Sequence, residues 1–249
     1  MVAALAVEAR ALGTAARGGG GKGSPRGEGS GVAMLSDGTL LAVSGIGGAA
    51  AARAAERLIA AGASALVSWG VAGALDPQLA VGTVCLPSEV IAADGARYCT
   101  APHWRGWLAE LVAARRPVAR GRLLTRSQAI DTAAAKALAH GTTGAVAVDM
   151  ESGAIAQVAA AHGLPFLAVR VIVDAAADRV PGAVAAASRA GEVRIARLLW
   201  SLMLSPADIA PLVGLARRYR VATRSLRAVA GLGMLAPPSR ETACGARVA

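Results

Sequence analysis

The sequence predicts an α/β fold of three layers, αβα, with a mixed, twisted central sheet between helices. Three observations predict it. Short apolar runs alternate with Ala-rich amphipathic stretches through most of the chain. With 249 residues, 55% of them hydrophobic and 17% charged, the chain has enough apolar surface for one large core. At Gly163-Leu164-Pro165 a helix stops and an apolar strand begins at once, as successive α/β units require.

Taken in order, Met1–Ala6 reads as a strand, and Gly18–Ser30 is a Gly-rich polar loop. Thr39–Ser44 is a strand, Gly48–Ala61 a helix and Ala65–Trp69 a strand. Thr83–Ile91 and Gly121–Thr125 are strands on either side of a helix at Trp104–Ala114. Thr132–His140 and Glu151–His162 are helices, and Val146–Asp149 and Phe166–Val173 are strands. The main α/β unit is expected at residues 1–185. A basic helical extension is expected at 186–230, with Ser205 as N-cap and Pro206 at the first helical position. A tail at 231–249, with Pro237-Pro238, reads as disordered.

Composition excludes several classes. Lys and Arg outnumber Asp and Glu by 26 to 16, but aromatics are only 3%, so a protein that stacks nucleic-acid bases is not expected. Cys85, Cys99 and Cys244 have no close pairing, which argues against zinc and a disulfide framework and for a reducing, cytoplasmic setting. Met1–Val7 is apolar but ends at Glu8 and Arg10 and does not read as a secretory signal. No apolar run reaches the roughly 18 residues of a spanning helix. In the extension, eight arginines stand against Glu192 and Asp208, a net +6. They form either a solvated face or a surface for anionic lipid at the inner face of the membrane.

Three motifs sit where α/β proteins place ligands, at strand ends. Ser44-Gly45-Ile46-Gly47-Gly48 opens a helix, so its backbone N–H groups can approach an anion or a sugar. It approximates a dinucleotide fingerprint, but the acidic residue about 20 positions on is missing. Ser68–Pro77 (SWGVAGALDP) clears space with small residues above a sheet edge. The most specific is Val148-Asp149-Met150-Glu151-Ser152, followed by Val169-Arg170-Val171-Ile172-Val173-Asp174. It puts two carboxylates, Glu151 and Asp174, at neighbouring strand ends, a constellation suited to sugar chemistry. His140 and His162 fall near helix ends and read as surface or capping groups, His103 offers no chemistry beyond that, and Trp104 and Trp107 read as packing.

Glu8, S-G-I-G at Ser44–Gly47, G-V-A-G at Gly70–Gly73, V-D-M-E-S and V-R-V-I-V-D occur in an order and spacing that resemble one superfamily. It is that of purine nucleoside phosphorylases and methylthioadenosine/S-adenosylhomocysteine nucleosidases, and the resemblance covers about residues 1 to 180. Within it the chain looks most like the hopanoid-biosynthesis branch, which acts on adenosylhopane. The E-A-R at Glu8–Arg10, the V-D-M-E-S helix start and the Arg-rich C-terminal region carry that finer resemblance.

The resemblance implies a role for each matching residue. Glu151 would hold the ribose hydroxyls and Met150 pack on the sugar face. Asp174 would protonate the purine at N7, since an adenine anion leaves poorly; such acid help contributes about 10²–10⁴-fold in rate. The apolar approach of Val171-Ile172-Val173 should raise its pKa. Glu8 would hold and activate water at the anomeric carbon, the logic of inverting sugar hydrolysis. Gly45, Gly47, Val71, Ala72, Gly73, Ala129 and Ile130 would line the pocket, Ala129 and Ile130 facing the base mostly through backbone. No metal or organic cofactor is implied, phosphate being the one co-substrate to weigh, and a homo-oligomer is expected.

Two departures from the family pattern matter. Val173 stands where the family commonly has Ser before its catalytic aspartate. Ser68 and Trp69 replace the Arg with which hexameric phosphorylases grip phosphate, which favours water, while Arg10 keeps phosphorolysis open. The competing readings are a methylthioadenosine/S-adenosylhomocysteine nucleosidase, a nicotinamide-dependent oxidoreductase, and a catalytically silent nucleoside-binding or membrane scaffold protein.

Overall fold

A computed structural model describes residues 1–12, 31–35, 37–179, 209–232 and 246–247. The Gly-rich loop, Ser188–Leu204, the proposed cap at Ser205-Pro206 and most of the tail lie outside them. The centre of the fold is a pair of nine-residue parallel strands, β4 (Leu66–Ala74) and β11 (Phe166–Asp174), aligned along their whole length. Side chains of β11 alternate between two core layers. Leu167, Val169, Val171 and Val173 face one; Phe166, Ala168 and Ile172 face the other.

Helices cover both faces. On one lie α1 (Ala6–Ala11), α3 (Pro102–Ala113) and α6 (Ile209–Ala230), burying Ala9, Trp104, Leu108, Leu226 and Val229 around Trp69. On the other lie α2 (Gly48–Ala60) and α5 (Ser152–Ala161). Ala51, Ala54, Ala55 and Leu58 of α2 recur at i, i+3, i+4 and i+7 and form its buried stripe. The three-layer αβα arrangement expected from the sequence is therefore present. A smaller cluster beside α4 (Ala133–Thr143) holds Leu75, Leu124 and Val148, and Trp104 is core packing as expected.

Sheet topology makes the site. One edge of β4 changes neighbours along its length. Ser68 and Trp69 pair with parallel β1 (Val2–Ala3), whereas Gly73 and Ala74 pair with antiparallel β10 (Ala145–Asp149). Between these pairings lies a gap at Gly70–Ala72, the kind of topological switch that leaves a crevice at strand ends. Strand β10 continues through β9 (Arg122–Thr125) to β6 (Glu89–Ile91) and β7 (Arg97–Cys99). On the other side β1 leads to β3 (Leu40–Val43) and β2 (Val32–Met34), and β11 leads to β5 (Val84–Cys85) and β8 (Val118–Ala119).

Five sequence expectations are corrected. The first strand ends at Ala3, and Ala6 already belongs to α1, because Glu8 reaches back to the Leu5 N–H and caps the helix start. Thr83–Ile91 is two short strands, β5 and β6. Helix α6, expected within a basic extension, is a wall of the core through Ala222, Leu226 and Val229. In the tail, Ala246–Arg247 form β12, paired antiparallel with β7. Cys99 on β7 is disulfide-bonded, where the sequence suggested free thiols; Cys85 is free and buried.

Candidate active site

A cavity of about 330 Å³ opens at the β4 switch. Its lining includes Glu8, Val71, Ala72, Gly73, Ala129, Ile130, Met150, Glu151 and Asp174, so nine of the expected site residues meet there. Gly45 and Gly47 are not among the lining residues, although Ile46 between them is. Arg10, expected as a phosphate ligand, is exposed on α1 and does not line the cavity. It follows Glu8 by two positions, and residues so spaced on a helix do not share a face.

Glu8 fills the gap in the β4 edge. Its Oε2 accepts the Leu5 N–H at 3.0 Å and its Oε1 accepts the Val71 N–H at 3.1 Å. The Val71 carbonyl accepts from Arg170 Nη1 at 3.4 Å, so side chains satisfy the strand where no neighbouring strand does. Gly70 is required here, because a Cβ would lie 2.5 Å from Arg170 Nη1 and 2.9 Å from Glu8 Oε1. Burial pushes the Glu8 carboxyl above its ordinary range, while Arg170 and the backbone donors pull it down.

Glu151 stands at the N-cap of α5, yet its side chain serves another helix. Its Oε1 accepts the Gly47 N–H at 3.0 Å, at the start of α2. Gly47 has φ of 100°, a conformation that favours glycine. Burial raises Glu151 to about 7; Arg170 opposes the rise and Asp149 adds to it.

Beneath these carboxylates lies Arg170, fully buried in the middle of β11. Its Nη2 donates to Ser68 Oγ at 2.6 Å and meets Asp149 Oδ2 at 2.7 Å, with Glu151 Oε2 at 3.7 Å. Ser152 Oγ accepts from Arg170 Nε at 3.2 Å. Asp149 also accepts from Thr125 Oγ1 at 2.7 Å and from the Ser152 N–H at 3.1 Å. A charge this deep survives only when paired and fully hydrogen-bonded. The sequence motifs give Arg170 no function of its own. The signal was present, since a lone Arg inside a nine-residue apolar strand needs a buried partner.

Asp174 ends β11. The register with β4 shifts between Ile172 and Asp174, a bulge that sets Asp174 opposite Gly73. A Cβ on Gly73 would lie 3.1 and 3.2 Å from the two carboxylate oxygens. The carboxylate accepts a hydrogen bond from Lys136 Nζ. Burial raises the Asp174 pKa, the direction expected from its apolar approach, and the Lys136 ammonium opposes it. Lys136 had no signal of its own; in the Ala-rich run of α4 nothing shows which face turns inward. Tyr219 was also missed. It lines the cavity from α6, its hydroxyl is buried with no hydrogen-bond partner, and burial and the Glu8 charge raise its pKa.

Among the described residues no group of three or more His, Cys, Asp or Glu could hold a metal ion. His140 Nδ1 lies 2.8 Å from the Ala145 carbonyl and His162 meets Glu56, both outside the cavity.

The fold has many solved counterparts. A 5′-methylthioadenosine/S-adenosylhomocysteine nucleosidase of Helicobacter pylori, solved with butyl-thio-DADMe-Immucillin-A, is 16% identical. The alignment covers 93% of this chain and 96% of that one, with a TM-score of 0.64. The corresponding nucleosidase of Neisseria meningitidis, with methylthio-immucillin-A, is 21% identical over 79% of this chain and 81% of that one, at a TM-score of 0.57. The futalosine hydrolase of Helicobacter pylori is 19% identical over 78% and 79%, also at 0.57. No curated protein matches the chain. The model of the phosphorylase superfamily matches residues 33–203, more than half of the sequence. On that match the chain belongs to the phosphorylase superfamily, and its mixed sheet and flanking helices are of the same kind as in these solved structures.

Proposed function

We propose that the protein cleaves the N-glycosidic bond of an adenine nucleoside, with adenosylhopane as its substrate. One observation carries the reaction: Glu8, Glu151 and Asp174, three of the four buried carboxyls among the described lining residues, meet in a single cavity of nucleoside size. Asp174 gives a proton to the base, Glu151 holds the ribose hydroxyls against Met150, and Glu8 holds the nucleophile. Water is favoured as that nucleophile. Lys136 is the one cation among the described lining residues, and its donors are spent on Asp174, Ala175 and Asp178. Among the described lining residues phosphate would find no free charge to grip.

The hopanoid reading rests on the resemblance of the sequence and on α6. A polycyclic tail on the ribose 5′ carbon cannot fit within about 330 Å³ beside a nucleoside and has to lie outside. Helix α6 touches the cavity through Tyr219 and turns outward Arg217, Arg220, Arg224 and Arg227, with exposed Val221 among them. That stripe supports docking on anionic lipid. No described helix is long and apolar enough to cross a membrane. The same cavity volume fits a methylthio nucleoside, the second reading.

Adenine release is the test, measured from adenosylhopane in vesicles and from methylthioadenosine, each with and without phosphate. Release from adenosylhopane without phosphate is expected. Release from methylthioadenosine alone would remove the hopanoid substrate, and no release would remove the reaction. Changing the four arginines to Gln should abolish binding to anionic vesicles while sparing turnover of the soluble nucleoside. Unchanged vesicle binding would end the docking idea.

A further inference from the structure

We propose that Lys136 is a positioning residue for Asp174, fixing its carboxyl and stabilising the carboxylate left when its proton passes to the departing base. The inference rests on the nucleoside-cleaving reading above. It concerns a side chain on α4 that the motifs do not name.

Lys136 has no solvent exposure. An ammonium has three N–H donors and no acceptor, and all three are engaged. They go to the Asp174 carboxylate, to the Ala175 carbonyl at 2.8 Å and to the Asp178 carbonyl at 3.1 Å. With no donor left over, Lys136 cannot bind substrate and acts only through Asp174. Its three acceptors also span β11 and the turn after it, so the ammonium ties the acid to its own backbone surroundings.

Gly73 also crowds the carboxylate, since even a methyl group there would come within 3.2 Å of both oxygens. Asp174 is thus held by a backbone and a cation. The residue before it, Val173, has no hydroxyl to offer. The support that a neighbouring side chain could give along the strand comes instead from a helix packed across its end.

Among the described residues the other charges nearby are accounted for. The Asp178 carboxylate accepts the Ala175 N–H at 2.8 Å and pairs with Arg218 of α6. Only its carbonyl reaches Lys136, so Asp174 faces one cation from α4 while the second cation is occupied by Asp178.

In the step itself the C–N glycosidic bond breaks with its electron pair going to the base. The Asp174 O–H bond gives its proton to N7, and the resulting carboxylate stays paired with the ammonium. Water adds to the sugar carbon and loses a proton to Glu8, which balances the proton given by Asp174. Lys136 keeps all its protons throughout.

The test is kcat and KM against pH for adenine release from methylthioadenosine by the full chain. Wild type, Lys136→Met, Lys136→Arg and Asp174→Asn are compared. Activity requires protonated Asp174, so kcat falls as pH rises through the pKa of that acid. Removing the cation raises that pKa, and the alkaline limb of Lys136→Met should move to higher pH. Its plateau kcat should drop about 10- to 100-fold, a share of what a general acid contributes, with KM within about threefold. Lys136→Arg, which retains the charge, should keep its limb near the wild-type position. A role in folding alone would lower the melting temperature without moving the limb. Should the Met variant melt early, the profile is read on Lys136→Gln. An unmoved limb in the neutral variant that folds overturns the inference. A wild-type chain without base release overturns the underlying reading and this inference with it. Full activity of Asp174→Asn overturns the assignment of the acid.

Discussion

The two ends of the cavity handle buried charge in opposite ways. At the Asp174 end one carboxylate meets one ammonium, with backbone carbonyls completing the cation's shell. At the other end Asp149, Glu151 and Glu8 all surround the single guanidinium of Arg170. The first arrangement is a pair that can be neutralised by one proton. The second has more negative than positive groups, so protons must be shared among its carboxyls. The raised Glu151 expresses that imbalance, since burial and Asp149 both favour its neutral form. Charge count, and not only burial, decides which end tolerates change.

The sharpest way to break this comparison is to remove each cation. Arg170→Met leaves Asp149 buried without its ion pair and removes the guanidinium donors to the Ser68 and Ser152 hydroxyls. We expect a loss of about 3–5 kcal/mol, the range for breaking a buried pair, measured by urea unfolding. Lys136→Met should cost less, because Asp174 escapes by binding one proton. Equal losses would mean that the two ends are not different in kind.

A smaller effect sharpens the shared-proton picture. Glu151 is raised from 4.5 to about 7, so the folded chain binds this proton more tightly than the unfolded one. Its contribution to stability is therefore greatest at the acid end, declines as pH rises from about 4.5 to about 7, and is level above. In Glu151→Gln the fall in melting temperature between pH 5 and pH 8 should flatten. A slope unchanged from wild type would assign the proton to another carboxyl of the cluster.

The smallest change tests the tight end by geometry alone. Gly73→Ala places a methyl carbon 3.1–3.2 Å from both Asp174 oxygens and shifts the carboxylate by a few tenths of an ångström. A fall in kcat of about tenfold or less is expected, with KM little changed, as for a slightly misplaced reacting group. A wild-type rate would show slack that the contacts around Asp174 do not suggest.

Much of this was legible in one dimension. Glu151 and Asp174 end apolar strands, and strand ends are where α/β folds build sites, so their meeting follows from pattern. The element order was legible too, because Ala-rich helices and β-branched strands differ in period. What escaped depends on contacts between distant segments. Ala6 reads as strand until Glu8 caps α1. Helix α6 reads as an extension because its arginines dominate the composition, while Ala222, Leu226 and Val229 between them seat it on the core. Lys136 looks like one charge on an Ala-rich helix; only the bulge at Asp174 gives it a partner. Strand β12 escaped as well, since no spacing rule announces that the tail returns to β7.

The gap in the β4 edge carries a practical corollary. The Val71 amide proton is bound by a carboxylate from a six-residue helix rather than by a strand. Its exchange with deuterium is thus a gauge of α1 alone, whereas the amides paired with β11 report the whole sheet. A single proton in the spectrum therefore tells, without any substrate present, what fraction of molecules has Glu8 seated against β4.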